Sequence, residues 1–154
     1  MQARWAAPME LALAEGRLAV GHNDVPVGAV VLDGAGAVLA VGRNRREQLR
    51  DPTAHAEQLA LRAATALLAR WRLDGCTLVV TLEPCVMCTG ALVAARVDRL
   101  VFGAWDSKAG ACGSVWDLAR DSANLHSVEV IPGVLADQSA ALLAEFFASR
   151  RGER

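Results

Sequence analysis

The chain has 154 residues, 53% of them hydrophobic, which is enough for one domain with a substantial core and excludes an intrinsically disordered protein. A formal net charge of −1 excludes a generally basic nucleic-acid coat protein, while leaving room for a basic patch on one face. Four cysteines in a chain this large and apolar point away from a disulfide framework and towards metal or redox use, and so to the reducing cytoplasm.

No secretory signal is expected, because Glu10 and Glu15 interrupt the first apolar stretch, and no apolar run reaches the ~18 residues of a membrane span. Trp5, Met9, Leu13 and Gly16 recur at helical spacing and predict a helix with one buried face. Residues 27–32 and 38–41 are apolar and β-branched, and Asp33-Gly34-Ala35-Gly36 between them is a hairpin signal. Leu59, Ala60, Ala63, Ala64, Leu67 and Leu68 form a helical stripe within 53–70. Residues 77–82 predict the next strand, and Pro84 suits the first turn of a short helix after it, where its fixed φ and missing N–H cost nothing. Residues 100–102 and 128–131 predict two further strands, and 135–150 a closing helix. Unbroken apolar strands favour a sheet covered on both faces. The strand–helix–strand segment 76–102 implies a right-handed parallel crossover. The expected fold is therefore a single domain, a three-layer α/β/α sandwich around a five-stranded mixed sheet that begins with a hairpin.

Chemistry concentrates in two segments, His55-Ala56-Glu57 and Glu83-Pro84-Cys85-Val86-Met87-Cys88. One histidine, two thiols and a free carboxylate are what a catalytic zinc needs: three ligands, an open fourth position for water, and a proton carrier beside it. Cys85 and Cys88, three apart, share a face of the helix whose first turn they are expected to occupy, where the dipole favours thiolate over thiol. His55 is expected just inside the start of the preceding helix. At helical spacing Glu57 then points away from His55, unlike the i, i+4 histidines of His-Glu-x-x-His proteases, so Glu57 is assigned to proton transfer and not to ligation.

Taken alone, Cys-x-x-Cys also fits a redox pair or half of a structural zinc site. A redox site has no need of His55 or Glu57. A closed structural site needs a fourth ligand, and Cys76, Cys112, His22 and His126 all lack partner spacing. Cys76 reads as a small core residue, Cys112 as a packed or half-exposed loop residue, and the two histidines as loop and strand-edge residues. The pairing of His-x-Glu with Pro-Cys-x-x-Cys is the signature shared by zinc-dependent base deaminases.

Resemblance extends well beyond those motifs. Residues 24–30, Asn44, 51–57, 78–88 and 101–104 are similar to the bacterial tRNA adenosine deaminases. So are Asp106-Ser107-Lys108-Ala109-Gly110-Ala111-Cys112-Gly113-Ser114, Trp116-Asp117-Leu118, and the ending at 140–151 with Phe146-Phe147. The metal motif identifies only the cytidine deaminase-like superfamily, and the 106–114 segment points to the tRNA branch. The resemblance implies a homodimer with one zinc ion per subunit, bound by His55, Cys85 and Cys88, with Glu57 as the acid/base. It implies that Asn44 and the backbone N–H of Ala56 contact the base, and that Asp106 and Lys108 contact the flanking ribose and phosphate. The implied reaction is hydrolysis of the wobble adenosine of an arginine tRNA to inosine and ammonia. An anticodon stem-loop is then the partner, and neither a membrane nor DNA is expected. A base in an anticodon loop is already unpaired, so moving it into a pocket is cheap.

Trp105 is a departure, because the best-known members carry arginine just before Asp106. An indole can stack on a splayed base, worth roughly 1–3 kcal/mol, or pack at the pocket or dimer rim, but it cannot pair with phosphate. Arg43, Arg45, Arg46 and Arg50, and at the end Arg150, Arg151 and Arg154, are either phosphate contacts or solvated surface. Two rival functions use the same residues. One is a free-base or nucleotide deaminase acting on guanine, cytosine or deoxycytidylate, against which the 106–114 segment argues. The other is a non-catalytic zinc- or RNA-binding module, which has no use for Glu57.

Overall fold

The structure, a computed structural model, describes residues 2–153. Five strands form one sheet: Gly28–Leu32 (β1), Val38–Arg43 (β2), Thr77–Leu82 (β3), Arg99–Ala104 (β4) and Glu129–Ile131 (β5), in the order β2-β1-β3-β4-β5. β1 runs antiparallel to β2 and β3, whereas β3, β4 and β5 run parallel. The sheet is thus mixed, as expected, with strand ends displaced by a residue or two. Asp33 turns the β1–β2 hairpin: its Oδ1 accepts the N–H groups of Ala35 and Ala37, both at 2.9 Å.

Both faces of the sheet are covered. Val30, Leu32, Val79 and Val101 pack with Met9 and Leu13 of α1 (Ala6–Ala19) and Leu142 of α5 (Ala136–Arg151). Their alternates Ala29, Val31, Val80 and Phe102 pack with Ala56, Ala60 and Ala64 of α3 (Ala56–Leu68) and Leu92 of α4 (Val86–Ala94). This double burial explains why β1 and β3 read as unbroken apolar runs. Full burial of one such side chain contributes about 1.5–3 kcal/mol. Gly42 of β2 lets α3 come closer than any side chain would allow. A Cβ there would lie 2.5 Å from the Ala56 carbonyl oxygen and 2.7 Å from the Ala60 nitrogen.

Two helix starts differ from expectation for local reasons. α3 begins at Ala56 and not at 53, because the Asp51 carboxylate accepts the Thr53 N–H and hydroxyl, both at 2.8 Å, and holds 51–54 in a turn. Pro52 also disfavours helical backbone at Asp51. α5 begins at Ala136 because Leu135 adopts a left-handed conformation, φ 50°. The four-residue helix α2 (Arg46–Leu49) and three short 3-10 turns were not expected, since none is long enough to leave a periodic pattern.

Candidate active site

The carboxyl end of β3 leads into Glu83-Pro84-Cys85, and the N-termini of α3 and α4 meet there. Ligands in α/β folds bind at this end of a parallel strand pair. His55 lies at the α3 N-cap and not inside the helix, with extended backbone (φ −72°, ψ 154°). Cys85 is likewise the N-cap of α4 (φ −75°, ψ 178°), so it lies outside the first turn, and Pro84 precedes it. Only Cys88 is helical. Neither side chain makes a capping hydrogen bond; the imidazole and the Cys85 thiol meet each other and Cys88 instead, where a cation could join them.

His55 Nδ1 lies 3.6 Å from Cys85 Sγ and 3.5 Å from Cys88 Sγ, and all three donor atoms fall within 4.8 Å of one another. Tetrahedral zinc with usual bond lengths separates a nitrogen and a sulfur ligand by about 3.6 Å. The donor set therefore fits zinc in both chemistry and size. Among the described residues no fourth donor joins it. Cys112 is buried with its sulfur 3.3 Å from Thr89 Oγ1, Cys76 is buried at the head of β3, and His126 Nε2 is 2.6 Å from the Val97 carbonyl. His22 is exposed.

The titratable groups of the site bond to one another. A hydrogen bond from Cys88, helped by His55 and opposed by burial, holds the Cys85 thiol down at about 4. Cys88, the donor in that bond and more deeply buried, is pushed up. The bond to Cys85 raises His55. Burial raises the carboxyl of Glu57, which is 4% exposed, against the pull of its own backbone N–H and of His55.

A cavity of ≈ 180 Å³ opens beside the donors, lined among others by Asn44, His55, Ala56, Glu57, Cys85 and Asp106. His55 and Glu57 thus face one space, because His55 is extended; the expected divergence at helical spacing does not apply. Ala56 is the first residue of α3, so its N–H has no acceptor within the helix. Asn44 is held in place by donating from Nδ2 to the Val25 carbonyl and accepting the Arg46 N–H at Oδ1, both at 3.1 Å. Asp24 braces the same corner by accepting the Glu47 and Gln48 N–H groups at 2.7 and 3.2 Å. Asp106 Oδ1 accepts the N–H groups of Lys108 and Ala109. Lys108 is exposed and does not line the cavity.

Gln58 escaped sequence reasoning, and Glu83 was read only as part of the metal motif, without its structural role. Gln58 donates from Nε2 towards Cys88 Sγ at 3.9 Å, and its only signal was adjacency to His-x-Glu. Glu83, an acid ending an apolar strand, is 2% exposed and binds the 106–114 loop. Trp105 is 51% exposed and meets Phe102 edge-on, centroids 5.0 Å apart at 84°. Of the arginines, Arg46 lines the cavity, Arg43 pairs with Glu15 at 3.8 Å, Arg45 bonds Gln48, and Arg150 bonds Asn23. Arg50 and Arg151 are exposed, and Arg154 lies outside the described residues.

Residues 4–104 match the family described as the cytidine and deoxycytidylate deaminase zinc-binding region. The tRNA-specific adenosine deaminase of Bacillus subtilis is 40% identical over 146 residues, covering 95% of this chain and 90% of that protein. A structure from a study of A-to-I editing by tRNA:A34 deaminases at the wobble position superposes with a TM-score of 0.85. It is 42% identical and covers 89% of this chain and 99% of its own. A guanine deaminase from Nitrosomonas europaea superposes with a TM-score of 0.73, at 33% identity, covering 96% of this chain and 84% of that one. The chain belongs to the cytidine and deoxycytidylate deaminase zinc-binding family and, within it, to the tRNA-specific adenosine deaminases.

Proposed function

We propose that this protein hydrolyses adenosine to inosine at the wobble position of tRNA, with an arginine tRNA anticodon as substrate, and releases ammonia. The observation that carries the reading is a three-donor zinc site opening onto a cavity that also holds a buried, unligated carboxylate. Bound zinc lowers the pKa of a water towards ~7 and so makes it nucleophilic. His55, Cys85 and Cys88 are the residues that would hold the ion.

Glu57 is the acid/base. Its carboxylate takes a proton from the attacking water and delivers it to the purine ring, then takes the remaining hydroxyl proton of the adduct as the carbonyl forms and delivers that one to the departing amine. Burial keeps its proton affinity above that of an ordinary carboxylate, closer to working pH. Asn44 and the Ala56 N–H hold the base edge. Asp106 and Lys108 contact the flanking ribose and phosphate, with Lys108 reaching from the rim. The working unit is a homodimer, a reading supported by large apolar side chains left in water, with Val86 44%, Trp116 48% and Leu125 90% exposed. No described helix is long and apolar enough to cross a membrane. The free thiols and the tRNA substrate support a cytoplasmic enzyme acting on RNA and not DNA.

The guanine deaminase likeness favours free-base deamination as the second reading. Incubating zinc-loaded protein with a wobble-adenosine arginine stem-loop and, separately, with guanine, adenine and cytosine decides between them. Ammonia and inosine from the stem-loop alone are expected. Ammonia from a free base alone would replace the first reading with the second.

A further inference from the structure

Glu83 carries a buried carboxylate that, among the described residues, forms no ion pair with a cation. Its partners are four donors from one loop. Oε1 accepts the Asp106 N–H at 3.0 Å and the Ser114 hydroxyl, and Oε2 accepts the Cys112 and Ser114 N–H groups at 3.0 and 3.1 Å. A carboxylate offers about four lone-pair sites. All are occupied, so Glu83 has none left for a substrate or a metal. Backbone bonds add to the link: Glu83 N–H donates to Ala104, and the Pro84 carbonyl accepts the Ala111 N–H, each at 2.8 Å. Gly110 presses on the carboxyl group, where a Cβ would lie 2.3 Å from Cδ. Two residues beyond Glu83 stands the donor Cys85, and the loop it grips supplies Asp106 and Ala109 to the cavity wall.

We propose that Glu83 is a positioning residue: it clamps the 106–114 loop to the metal-binding turn and fixes the distance from Asp106 to the zinc donors. This assignment rests on the reading of the cavity as an RNA adenosine site and specifies how its flank-binding wall is held.

Glu83→Gln replaces one oxygen with an amide nitrogen that cannot accept, so at least one backbone N–H of the loop loses its partner. In the zinc-loaded protein, amide exchange over 106–114 is expected to quicken about ten-fold or more, with α3 and β3 unchanged. KM for the stem-loop is expected to rise about ten-fold while kcat falls less than about three-fold, and Glu83→Ala is expected to go further in the same direction. A merely structural role would lower the melting temperature and the active fraction but leave KM unchanged. Unchanged exchange over 106–114 would overturn the clamp, and quickened exchange with unchanged KM would overturn its part in substrate binding. Should Glu83→Ala fail to fold, Glu83→Gln alone decides. A wild-type enzyme inactive on the stem-loop would sink the RNA reading, whereas the exchange result judges the clamp whatever the substrate.

Discussion

His55 Nδ1 stands 3.5 Å from Cys88 Sγ, although 33 residues separate them in the chain. The approach depends on two helix caps whose side chains make no capping bond, which leaves their polar atoms for a metal. Substituting any one donor (His55→Ala, Cys85→Ser or Cys88→Ser) is expected to remove most of the bound zinc, measured by metal analysis of the purified protein. Chelation of the wild type is expected to free Cys85, the half-buried thiol of the site, for thiol reagents, with Cys88 slower because it is fully buried. Cys76 and Cys112 should stay slow, being buried; burial also pushes the Cys112 thiol up to about 12. Rapid labelling of all four thiols on chelation would show that the metal holds far more of the fold than this site.

Gly42→Ala is expected to cost about 1–3 kcal/mol or more, because the added methyl meets backbone of α3 and not a movable side chain. Gly21→Ala, with nothing within 4 Å of the new Cβ, is expected to stay within about 0.5 kcal/mol of wild type. Urea unfolding of the zinc-loaded proteins checks both. Equal stabilities would mean that β2 and α3 are not in backbone contact.

The layered fold was legible because both faces of β1 and β3 are buried, and unbroken valines and leucines record that directly. The metal donors were legible because their chemistry is rare and their spacing tight. The caps were not, since helical periodicity does not mark the residue at which the backbone leaves the helix. That took the Asp51 turn and the extended backbone of Cys85. Glu83 was visible in the metal motif, but its role escaped for a different reason. Its four donors come from residues 106–114, more than twenty positions away, and no local pattern encodes such a contact. Lys108 matched the family motif in sequence yet sits outside the cavity, because motif position says nothing about side-chain reach.

Trp105 presents about half its surface to solvent while it packs at right angles to Phe102. A ring held in this way can receive a splayed base beside the cavity. Trp105→Ala is expected to weaken stem-loop binding by roughly 1–3 kcal/mol, with Trp105→Phe retaining most of it. Affinity measured at one fixed salt concentration checks this, and equal losses in the two variants would argue against stacking.

Single-turnover inosine formation on a wobble-adenosine arginine stem-loop, with zinc content matched between proteins, compares wild type and Glu57→Ala most directly. Wild type should convert the substrate, and the variant should bind zinc and RNA equally well but react roughly 100- to 10,000-fold more slowly. Near-wild-type conversion by the zinc-loaded variant would contradict the role of the buried carboxylate, and with it the proposed chemistry.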